Sequence, residues 1–347
     1  MYSRAQTRPL TVGSLPVGGG APVSVQTMGN RDPHDADACL AQLLDCAAAG
    51  CRLFRMTVPD IRAAEVFGEV RRQSPVPLVA DIHFDYRLAL KAIEEGADAL
   101  RLNPGNIGSR EKVQAVARAA KAKKVPIRIG VNSGSLEKGE TLVSSALKHV
   151  KLLEDEGFYD IVVSVKSSGV RETVDAYREL AEKTDCPLHL GVTEAGTALP
   201  GTVRSAVALG ILLEDGIGDT VRVSLTDLPE KEVKVGLEIL RSAGLAEAGP
   251  SIVSCPTCGR TKVDLFAAAA EVEAALERRH FEAPGRKLPK VAVMGCAVNG
   301  PGEAKGADIA LCGGDGEFIL FVKGETVCKV AEKDAAGKVM EYVDSMG

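Results

Sequence analysis

The chain lacks tryptophan, and aromatic residues make up only 4% of its 347 residues. A protein that stacks nucleic-acid bases needs aromatic side chains, and a formal net charge of −5 adds no basic excess. No apolar run approaches the roughly 18 residues of a membrane-spanning helix, and residues 1–16 contain no apolar signal-peptide core. We therefore expect a soluble, cytoplasmic protein that binds neither nucleic acid nor membranes.

Cysteine is also too sparse for a disulfide scaffold. The chain has nine cysteines, an odd number spread unevenly along its length. Reduced thiols or a metal site are the better expectation. We interpret five of the nine as core residues, the usual fate of this residue type: Cys39, Cys46, Cys51, Cys186 and Cys328.

Short runs rich in β-branched residues alternate with longer helical stretches over the first part of the chain. Eight runs begin 21 to 34 residues apart, which leaves room for one helix in each gap. No G-x-G-x-x-G follows the first run, so a closed barrel is favoured over an open dinucleotide-binding sheet. We predict an α/β fold with a TIM (β/α)8 barrel over residues 1–247. The predicted strands are Val23–Met28, Arg52–Thr57, Leu78–Ile82, Ala99–Leu102, Pro126–Val131, Asp160–Lys166, Leu188–Thr193 and Thr220–Leu225.

The alternation stops after Gly244, and Ala248-Gly-Pro250 opens a segment of different composition. About 100 residues are enough for a small independent core, so we predict a second, α+β domain over residues 248–347. Its predicted elements are a cysteine loop (Ser254–Thr261), a helix (Val263–Arg279), a strand (Val291–Met294), a Gly-rich loop (Gly295–Gly306), strands near Ile309, Phe318–Val322 and Val327–Val330, and a helix from Glu332.

Basic side chains mark five of the predicted barrel strands. Four strands carry an arginine between apolar neighbours and a fifth ends in a lysine, namely Arg55, Arg101, Arg128, Arg222 and Lys166. An unpaired charge is costly to desolvate, and the carboxyl ends of TIM-barrel strands form the active site. We predict that a multiply phosphorylated small molecule binds there. The alternative is that Asp81, Glu194 and other acids neutralise the cations as internal ion pairs.

Acid–base candidates follow two of the predicted strands. Asp81 and His83 are two residues apart at a strand end, so they project to the same side. Glu194 follows another strand in Gly191-Val-Thr-Glu194. A capping or hydrogen-bonded core role is the alternative for His83. We interpret the remaining histidines as structural or surface residues: His34, His149, His189 and His280.

A second group of candidate ligands lies near the carboxyl terminus. Cys255-Pro-Thr-Cys258 is followed, after 37 intervening residues, by Cys296 in a Gly-rich loop. A structural zinc site requires four protein ligands and has no open position, whereas an iron–sulfur cluster held by three cysteines leaves one iron for another group. Glu303 is a candidate for that fourth position, and Cys312 is its rival, which would make a closed electron-transfer or zinc site.

Seven segments occur in order along nearly the whole chain. They are VADIHFDYRLAL (79–90), RLNPGNIG (101–108), RIGVNSGSL (128–136), GVTEAG (191–196), RVSLT (222–226), SCPTCGRT (254–261) and GCAVNGPGEA (295–304). Together they resemble the 4-hydroxy-3-methylbut-2-enyl diphosphate synthase family in its short bacterial form. Three departures from the family pattern concern the first loop, residues 26–32, the short stretch 136–141, and Phe54-Arg55-Met56 in place of a more usual Val-Arg-Val.

The resemblance implies an oxidoreductase of the methylerythritol phosphate pathway of isoprenoid biosynthesis. Its reaction is the reductive opening and dehydration of 2-C-methyl-D-erythritol 2,4-cyclodiphosphate to 4-hydroxy-3-methylbut-2-enyl diphosphate. Two electrons from flavodoxin or ferredoxin pass through a [4Fe-4S] cluster. The resemblance also implies a homodimer in which the cluster domain of one chain caps the barrel of its partner.

Site residues are carried over by motif position. The resemblance implies that the diphosphate is held by Arg55, Arg101, Arg128, Asn132, Lys166, Arg222 and Ser224. The implied acid–base group is Glu194, with Thr193 beside it and Asp81 and His83 in support. The implied cluster ligands are Cys255, Cys258, Cys296 and Glu303, of which Glu303 gives way when a substrate oxygen binds the fourth iron.

Two other functions stay open from the residues alone. One is a non-redox, phosphate-binding lyase or synthase barrel with a structural zinc in its tail. The other is a non-enzymatic iron–sulfur carrier or sensor, against which the arginine-rich barrel mouth argues.

Overall fold

A computed structural model describes residues 3–136, 138–246, 249–283, 286–298 and 300–346, except for the side chains of residues 135, 281 and 303. The chain divides into two compact units, Met1–Ala246 and Glu247–Gly347. Within the described ranges, no helix is long and apolar enough to span a membrane.

The first unit opens with an antiparallel hairpin, β1 (Leu10–Val12) and β2 (Leu15–Val17). Eight parallel strands follow: β3 (Ser24–Met28), β4 (Leu53–Thr57), β5 (Leu78–Asp81), β6 (Ala99–Leu102), β7 (Ile127–Asn132), β8 (Ile161–Lys166), β9 (His189–Leu190) and β10 (Thr220–Val221). The helices are α1 (Ala36–Ala48), α2 (Ile61–Gln73), α3 (Tyr86–Glu94), α4 (Pro104–Ile107), α5 (Arg110–Lys123), α6 (Leu142–Glu154), α7 (Val170–Ala181), α8 (Ala198–Glu214) and α9 (Pro229–Ser242).

The parallel strands close almost completely into a barrel. Strands β3 to β8 pair in sequence order, and β10 lies between β3 and β9. One bridge pair, Val163 with Leu188, spans the remaining gap between β8 and β9, and the Val163 N–H donates to the Pro187 carbonyl at 2.9 Å. This arrangement confirms the predicted TIM barrel.

Sequence periodicity explains most of these elements. Strand β8 is buried along its whole length, as expected for a parallel strand covered on both faces. Helix α3 buries Leu88, Ala89, Ala92 and Ile93, a stripe at helical spacing that faces the barrel. The Asp85 side chain caps this helix by accepting from the Arg87 N–H at 3.0 Å.

The last two barrel strands are shorter than predicted. Residues 191–193 and 222–225 were expected to extend β9 and β10, but both strands end after two residues. Beyond these points the backbone finds other partners, since the Thr193 N–H donates to the Ser167 carbonyl at 3.1 Å and the Leu225 N–H donates to Glu232 Oε1 at 2.9 Å. The chain therefore leaves the sheet early and forms the rim of the barrel.

The hairpin of β1 and β2 was not predicted, because three-residue strands leave almost no periodicity in the sequence. Its apolar side chains, among them Leu10 and Val17, form a buried cluster with Leu53, Val79 and Val162 from the barrel strands. The hairpin thereby closes one end of the barrel interior.

The second unit is a five-stranded mixed sheet with helices, as predicted for an α+β domain. Its strands, in sheet order, are β11 (Ser251–Ser254), β12 (Lys290–Met294), β13 (Ile309–Gly313), β14 (Glu317–Val322) and β15 (Glu325–Ala331). The first three strands are parallel, and β14 and β15 are antiparallel to their neighbours. The helices are α10 (Leu265–Glu282), α11 (Gly300–Glu303) and α12 (Ala335–Ser345).

Two of these elements differ from the sequence expectation. Strand β11 was not predicted, and α11 lies within the segment predicted as a Gly-rich loop. Strand β11 has four residues, too few to show a period in the sequence. The core itself has the predicted character, with Val272 and Leu276 of α10 packed in one cluster with Val293, Leu311 and Val339.

Tyr177 secures the weakly paired side of the barrel. Its buried hydroxyl donates to the His189 carbonyl at 2.5 Å and accepts from the Val165 N–H at 3.2 Å.

We expect Tyr177→Phe to reduce the free energy of unfolding by about 1–3 kcal/mol, because buried backbone groups on β8 and β9 lose their partner. Urea unfolding followed by circular dichroism measures this change. Tyr159→Phe is the matched control, since Tyr159 is exposed. Equal stability of both variants would contradict the closing role.

Candidate active site

Five basic side chains meet at the carboxyl-terminal end of the barrel strands. They line one pocket, with Arg55 on β4, Arg101 on β6, Arg128 on β7, Lys166 on β8 and Arg222 just after β10. Strand register brings neighbours together, because Arg101 lies opposite Arg128. Asn132 and Ser224 line the same pocket. All seven residues that the resemblance implies for diphosphate binding thus surround one space.

Two buried carboxylates face these cations. Asp81, at the end of β5, lies 3.4 Å from Arg101 Nη1 and 3.8 Å from Arg55 Nε. Glu232, in the first turn of α9, lies 3.6 Å from Arg222 Nε. Glu232 is also held by the Thr27 hydroxyl, which donates to it at 2.7 Å. Each carboxylate is therefore already committed to arginine partners.

Among the described residues, the other two cations have no carboxylate partner. Arg128 donates through Nη1 to the side-chain oxygen of Gln26, while its Nη2 is buried without an acceptor. Among the residues that the structure describes, Lys166 has neither a carboxylate within 4.0 Å nor a hydrogen-bond acceptor. The four arginines alone outnumber the two carboxylates, and Lys166 adds a fifth basic group. The described carboxylates therefore do not neutralise the basic side chains fully, and a bound anion would offset the remaining positive charge.

Burial and mutual repulsion change the pKa values of these groups. Burial, reinforced by the Arg222 charge, lowers the pKa of Lys166 well below its usual range. Burial lowers the pKa of Arg55 to about 10, against the opposing attraction of Asp81. For Asp81, burial disfavours the charged form, but Arg55 and Arg101 together outweigh burial and hold its pKa below the usual range. Asp81 is therefore an ionised counter-ion at neutral pH.

Glycines at two strand ends leave room for the cations. A Cβ at Gly130 would lie 2.5 Å from Arg101 Nε. A Cβ at Gly191 would lie 2.7 Å from Lys166 Nζ and 2.6 Å from the Arg222 carbonyl oxygen. Any larger residue at either position would displace a cation or the backbone.

The four predicted acid–base residues take four different positions. Asp81 is buried beneath the arginines, and His83 is half-exposed with Nε2 3.9 Å from Asp81 Oδ2. Thr193 lines the pocket, and Glu194 beside it is exposed on the rim. Glu194 has a φ of 51°, a left-handed conformation that is uncommon for a residue other than glycine and that is often retained at functional sites.

His189, interpreted from the sequence as structural or at the surface, lines the same pocket. Its ring is 1% exposed, and Nδ1 lies 2.8 Å from the Thr220 hydroxyl. Burial, then Arg128 and Lys166, lowers the pKa of His189 well below its usual range, so the ring is neutral. Its position just before the segment 191–196 was the available sequence signal.

Sequence reasoning also missed three residues whose side chains accept from or pair with the cations: Gln26, Met28 and Glu232. Met28 accepts from Arg55 Nη2 through its sulfur at 2.7 Å. Glu232 lies on a helix whose sequence resembles an ordinary amphipathic surface, so nothing in the sequence marked it. Two residues at the start of the altered segment 26–32, Gln26 and Met28, thus lie at the end of β3 and contact two of the arginines.

The second unit gathers cysteines at the carboxyl-terminal edge of its parallel strands. Cys255 directly follows β11 and Cys296 follows β12, whose residues pair in register with β11 and β13. The Gly295 N–H donates to Cys255 Sγ at 3.2 Å. Cys258 is exposed, and hydrogen bonds from Arg260 lower the pKa of its thiol. The Glu303 side chain lies outside the described residues, although its backbone ends α11.

Cys312, the rival fourth ligand, has a different environment. It lies within β13 and is fully buried beside Ala292 and Met294. Burial, then proximity to Cys296 and Cys255, raises the pKa of its thiol to about 12. Among the described side chains, no group of three or more His, Cys, Asp or Glu residues is arranged to hold a metal ion. The cysteines share an edge, and their role as ligands stays a prediction.

Comparison with known proteins finds matches to one family along nearly the whole chain. The family profile described as GcpE TIM-barrel domain matches residues 7–237, and that of the GcpE protein C-terminal domain matches residues 251–345. The chain is 54% identical to the 4-hydroxy-3-methylbut-2-en-1-yl diphosphate synthase (flavodoxin) of Geobacter sulfurreducens, covering 99% of this chain and 98% of that protein. The chain belongs to this synthase family. A relative of the same name from Clostridium acetobutylicum is 52% identical, covering 99% of both chains.

Family membership confirms the predicted enzyme class, an oxidoreductase of the methylerythritol phosphate pathway of isoprenoid biosynthesis. Solved structures agree on the fold. The dihydropteroate synthase of Yersinia pestis has a TM-score of 0.52 at 15% identity, covering 68% of this chain and 97% of that chain. The enzyme of Xanthomonas albilineans bound to 4-aminobenzoic acid also gives 0.52 at 15% identity, covering 70% and 100%. At this identity the similarity shows the barrel fold alone.

Asp81 is the counter-ion whose removal should be most costly. We expect Asp81→Asn to lower the free energy of unfolding at pH 7 by about 3–5 kcal/mol, because Arg55 and Arg101 are left buried without a charge partner. The pKa of Asp81 is lowered by folding, so its stabilising contribution is present above the unfolded pKa of about 4 and is lost as pH falls through the folded value. Variant and parent should therefore converge in acid.

Urea unfolding at pH 7 and at a series of values below pH 5 tests this expectation. Asp155→Asn serves as control, because Asp155 pairs with the exposed Lys151 at 3.1 Å and its loss should cost less than about 0.5 kcal/mol. A stability gap for Asp81→Asn that stays constant with pH would show that the carboxylate charge is not its cause.

Proposed function

We propose that this chain catalyses the reductive opening and dehydration of 2-C-methyl-D-erythritol 2,4-cyclodiphosphate to 4-hydroxy-3-methylbut-2-enyl diphosphate. The observation that carries the proposal is the pocket in which, across the described part of the chain, five basic side chains meet two carboxylates. Membership of the synthase family supplies the reaction. The pocket supplies a buried positive charge that suits a diphosphate.

The diphosphate binds at the cationic pocket. Arginine presents a planar fork of N–H donors that matches phosphate oxygens, and Arg128 Nη2 has no protein acceptor to compete with a ligand. Lys166 adds an amine that has no hydrogen-bond acceptor among the described residues. Asn132 and Ser224 offer neutral hydrogen bonds on the same wall. An anion bound here replaces the repulsion among the cations with attraction.

We assign proton transfer to Glu194. Its neighbour Thr193 lines the pocket, and its own left-handed backbone holds the side chain on the rim. Glu194 delivers a proton to the departing hydroxyl, which leaves as water. Asp81 acts differently from the role first expected, because its lowered pKa keeps it ionised and its partners are Arg55 and Arg101. It positions these arginines, and His83 stands at the edge of this network.

The reduction requires a redox group that protein side chains do not provide. A [4Fe-4S] cluster, when bound, supplies single electrons and an iron with an exchangeable ligand position. We assign its thiolate ligands to Cys255, Cys258 and Cys296 and its weaker fourth ligand to Glu303. Three cysteines at one sheet edge fit this cofactor in donor type, and the lowered pKa of Cys258 favours the thiolate. Cys312 fits less well, since it is enclosed in β13.

Flavodoxin is the proposed electron donor, because the two relatives carry flavodoxin in their names. Ferredoxin is the alternative. A homodimer in which the cluster domain of one chain caps the barrel of its partner completes the proposal and follows from family membership.

Cysteine variants test the cluster assignment. We expect anaerobically purified protein to contain about four iron and four sulfide per chain after reconstitution. Cys296→Ala should lose the cluster because it removes a thiolate ligand, whereas Cys312→Ala should retain it. Iron, acid-labile sulfide and zinc are measured together with the visible spectrum.

Cys328→Ala controls for the loss of a half-buried cysteine on β15. Retention of the cluster by Cys296→Ala and its loss in Cys312→Ala would reverse the assignment. One zinc per chain and no sulfide would instead support the zinc-containing, non-redox barrel.

Glu194→Gln tests the acid–base assignment. We expect the variant to keep its cluster and to lose about 10²–10⁴-fold in turnover, the usual worth of a positioned proton donor. Product formation from the cyclic diphosphate is followed without oxygen, with reduced flavodoxin or a reduced viologen. Glu214→Gln, an exposed change at the end of α8, is the control.

Unchanged turnover of Glu194→Gln would remove Glu194 from the mechanism. No turnover by the unmodified protein with an intact cluster would overturn the proposed reaction itself.

A further inference from the structure

Lys166 combines burial, access to the pocket and the lack of a partner. The residue ends β8, is 8% exposed and lines the pocket with four arginines. Across the described part of the chain its ammonium has no hydrogen-bond acceptor and no carboxylate within 4.0 Å. Gly191 lies so close that an added Cβ would be 2.7 Å from Nζ, so only a glycine leaves that side of the amine open.

The charged groups that act most strongly on Lys166 are the four arginines of the pocket. Burial, then Arg222, Arg128, Arg55 and Arg101, in that order, lowers the pKa of Lys166. From β9, His189 presents a neutral ring, and from α7 the Tyr177 hydroxyl is occupied by the His189 carbonyl. The nearby carboxylates Asp81 and Glu232 are held by arginines.

Burial and neighbouring cations disfavour the ammonium form of a lysine and so favour the free amine, which is the form that attacks carbonyl carbons. The same arginines that disfavour the ammonium form a binding site for a phosphate. A ligand carrying both an aldehyde and a phosphate would therefore be drawn to the pocket and would meet a nucleophile there.

We propose that Lys166 is a carbonyl-reactive amine that condenses with short phosphorylated aldehydes held by the neighbouring arginines. The Nζ lone pair forms a bond to the aldehyde carbon, the carbonyl oxygen leaves as water, and a C=N bond replaces C=O. No electrons are exchanged, and hydrolysis restores both partners. This reactivity goes beyond the proposed synthase reaction and does not depend on it. It would make such aldehydes reversible covalent blockers of the pocket.

The test uses anaerobically purified full-length protein and glyceraldehyde 3-phosphate, with sodium cyanoborohydride to trap the imine and peptide mass spectrometry to locate it. We expect Lys166 to be labelled at least about tenfold faster than the exposed Lys151 at pH 7, since each unit by which an amine pKa falls raises its free-base fraction about tenfold. Glyceraldehyde without phosphate should label Lys166 much more slowly. Inorganic diphosphate should suppress the labelling.

Mapping on the unmodified protein makes the outcome independent of whether Lys166→Met folds, and that variant serves only to confirm the site. Labelling confined to surface lysines, or equal labelling of Lys166 by the phosphorylated and unphosphorylated aldehydes, would overturn the proposal. The two proposals fail separately. Labelling of Lys166 without turnover of the cyclic diphosphate overturns only the synthase reaction, and turnover without labelling overturns only the reactive lysine.

Discussion

Repulsion among the cations at the barrel mouth is the constraint on which the rest of the site depends. Strand register places Arg101 opposite Arg128, and Lys166 ends the next strand, so the fold itself brings like charges together. Only Asp81 and Glu232 oppose them as buried carboxylates among the described residues. An arrangement of this kind lowers the stability of the empty protein and raises its affinity for an anion. Ligand binding and folding stability are therefore linked through the same charges.

Much of the surrounding structure can be understood as accommodation of that charge. Glycines at positions 130 and 191 provide space for Arg101 and Lys166 where any side chain would clash. Strands β9 and β10 end after two residues, which frees the backbone near Thr193 to form the rim. Because β9 is so short, it pairs only weakly with β8. Tyr177 reinforces this part of the barrel through two buried hydrogen bonds. The least regular part of the barrel thus coincides with its functional end.

The sequence was sufficient for features that repeat or that carry an unusual residue in an apolar setting. Eight β-branched runs predicted the barrel, and basic residues on apolar strands predicted the five cations that line the pocket. Asn132 and Ser224 were predicted only by the family resemblance. Features that depend on distant contacts could not be predicted this way. Glu232 is an ordinary helix residue until folding brings it to Arg222, and His189 gains its neutral state only from the cations around it. The hairpin β1–β2 is too short to show any period.

The two units divide the chemistry according to their side chains. The barrel mouth offers arginine, lysine and carboxylate, which bind an anion and move protons but supply no electrons. The second sheet carries thiols. Hydrogen bonds lower the pKa of Cys258, whereas burial raises the pKa of Cys312. Removing a hydroxyl group reductively requires both kinds of site, since binding alone leaves the carbon–oxygen bond unreduced and an electron source alone does not select a diphosphate. The pairing of an anion-binding barrel with a thiol-bearing sheet in one chain is therefore what the reaction of this family demands.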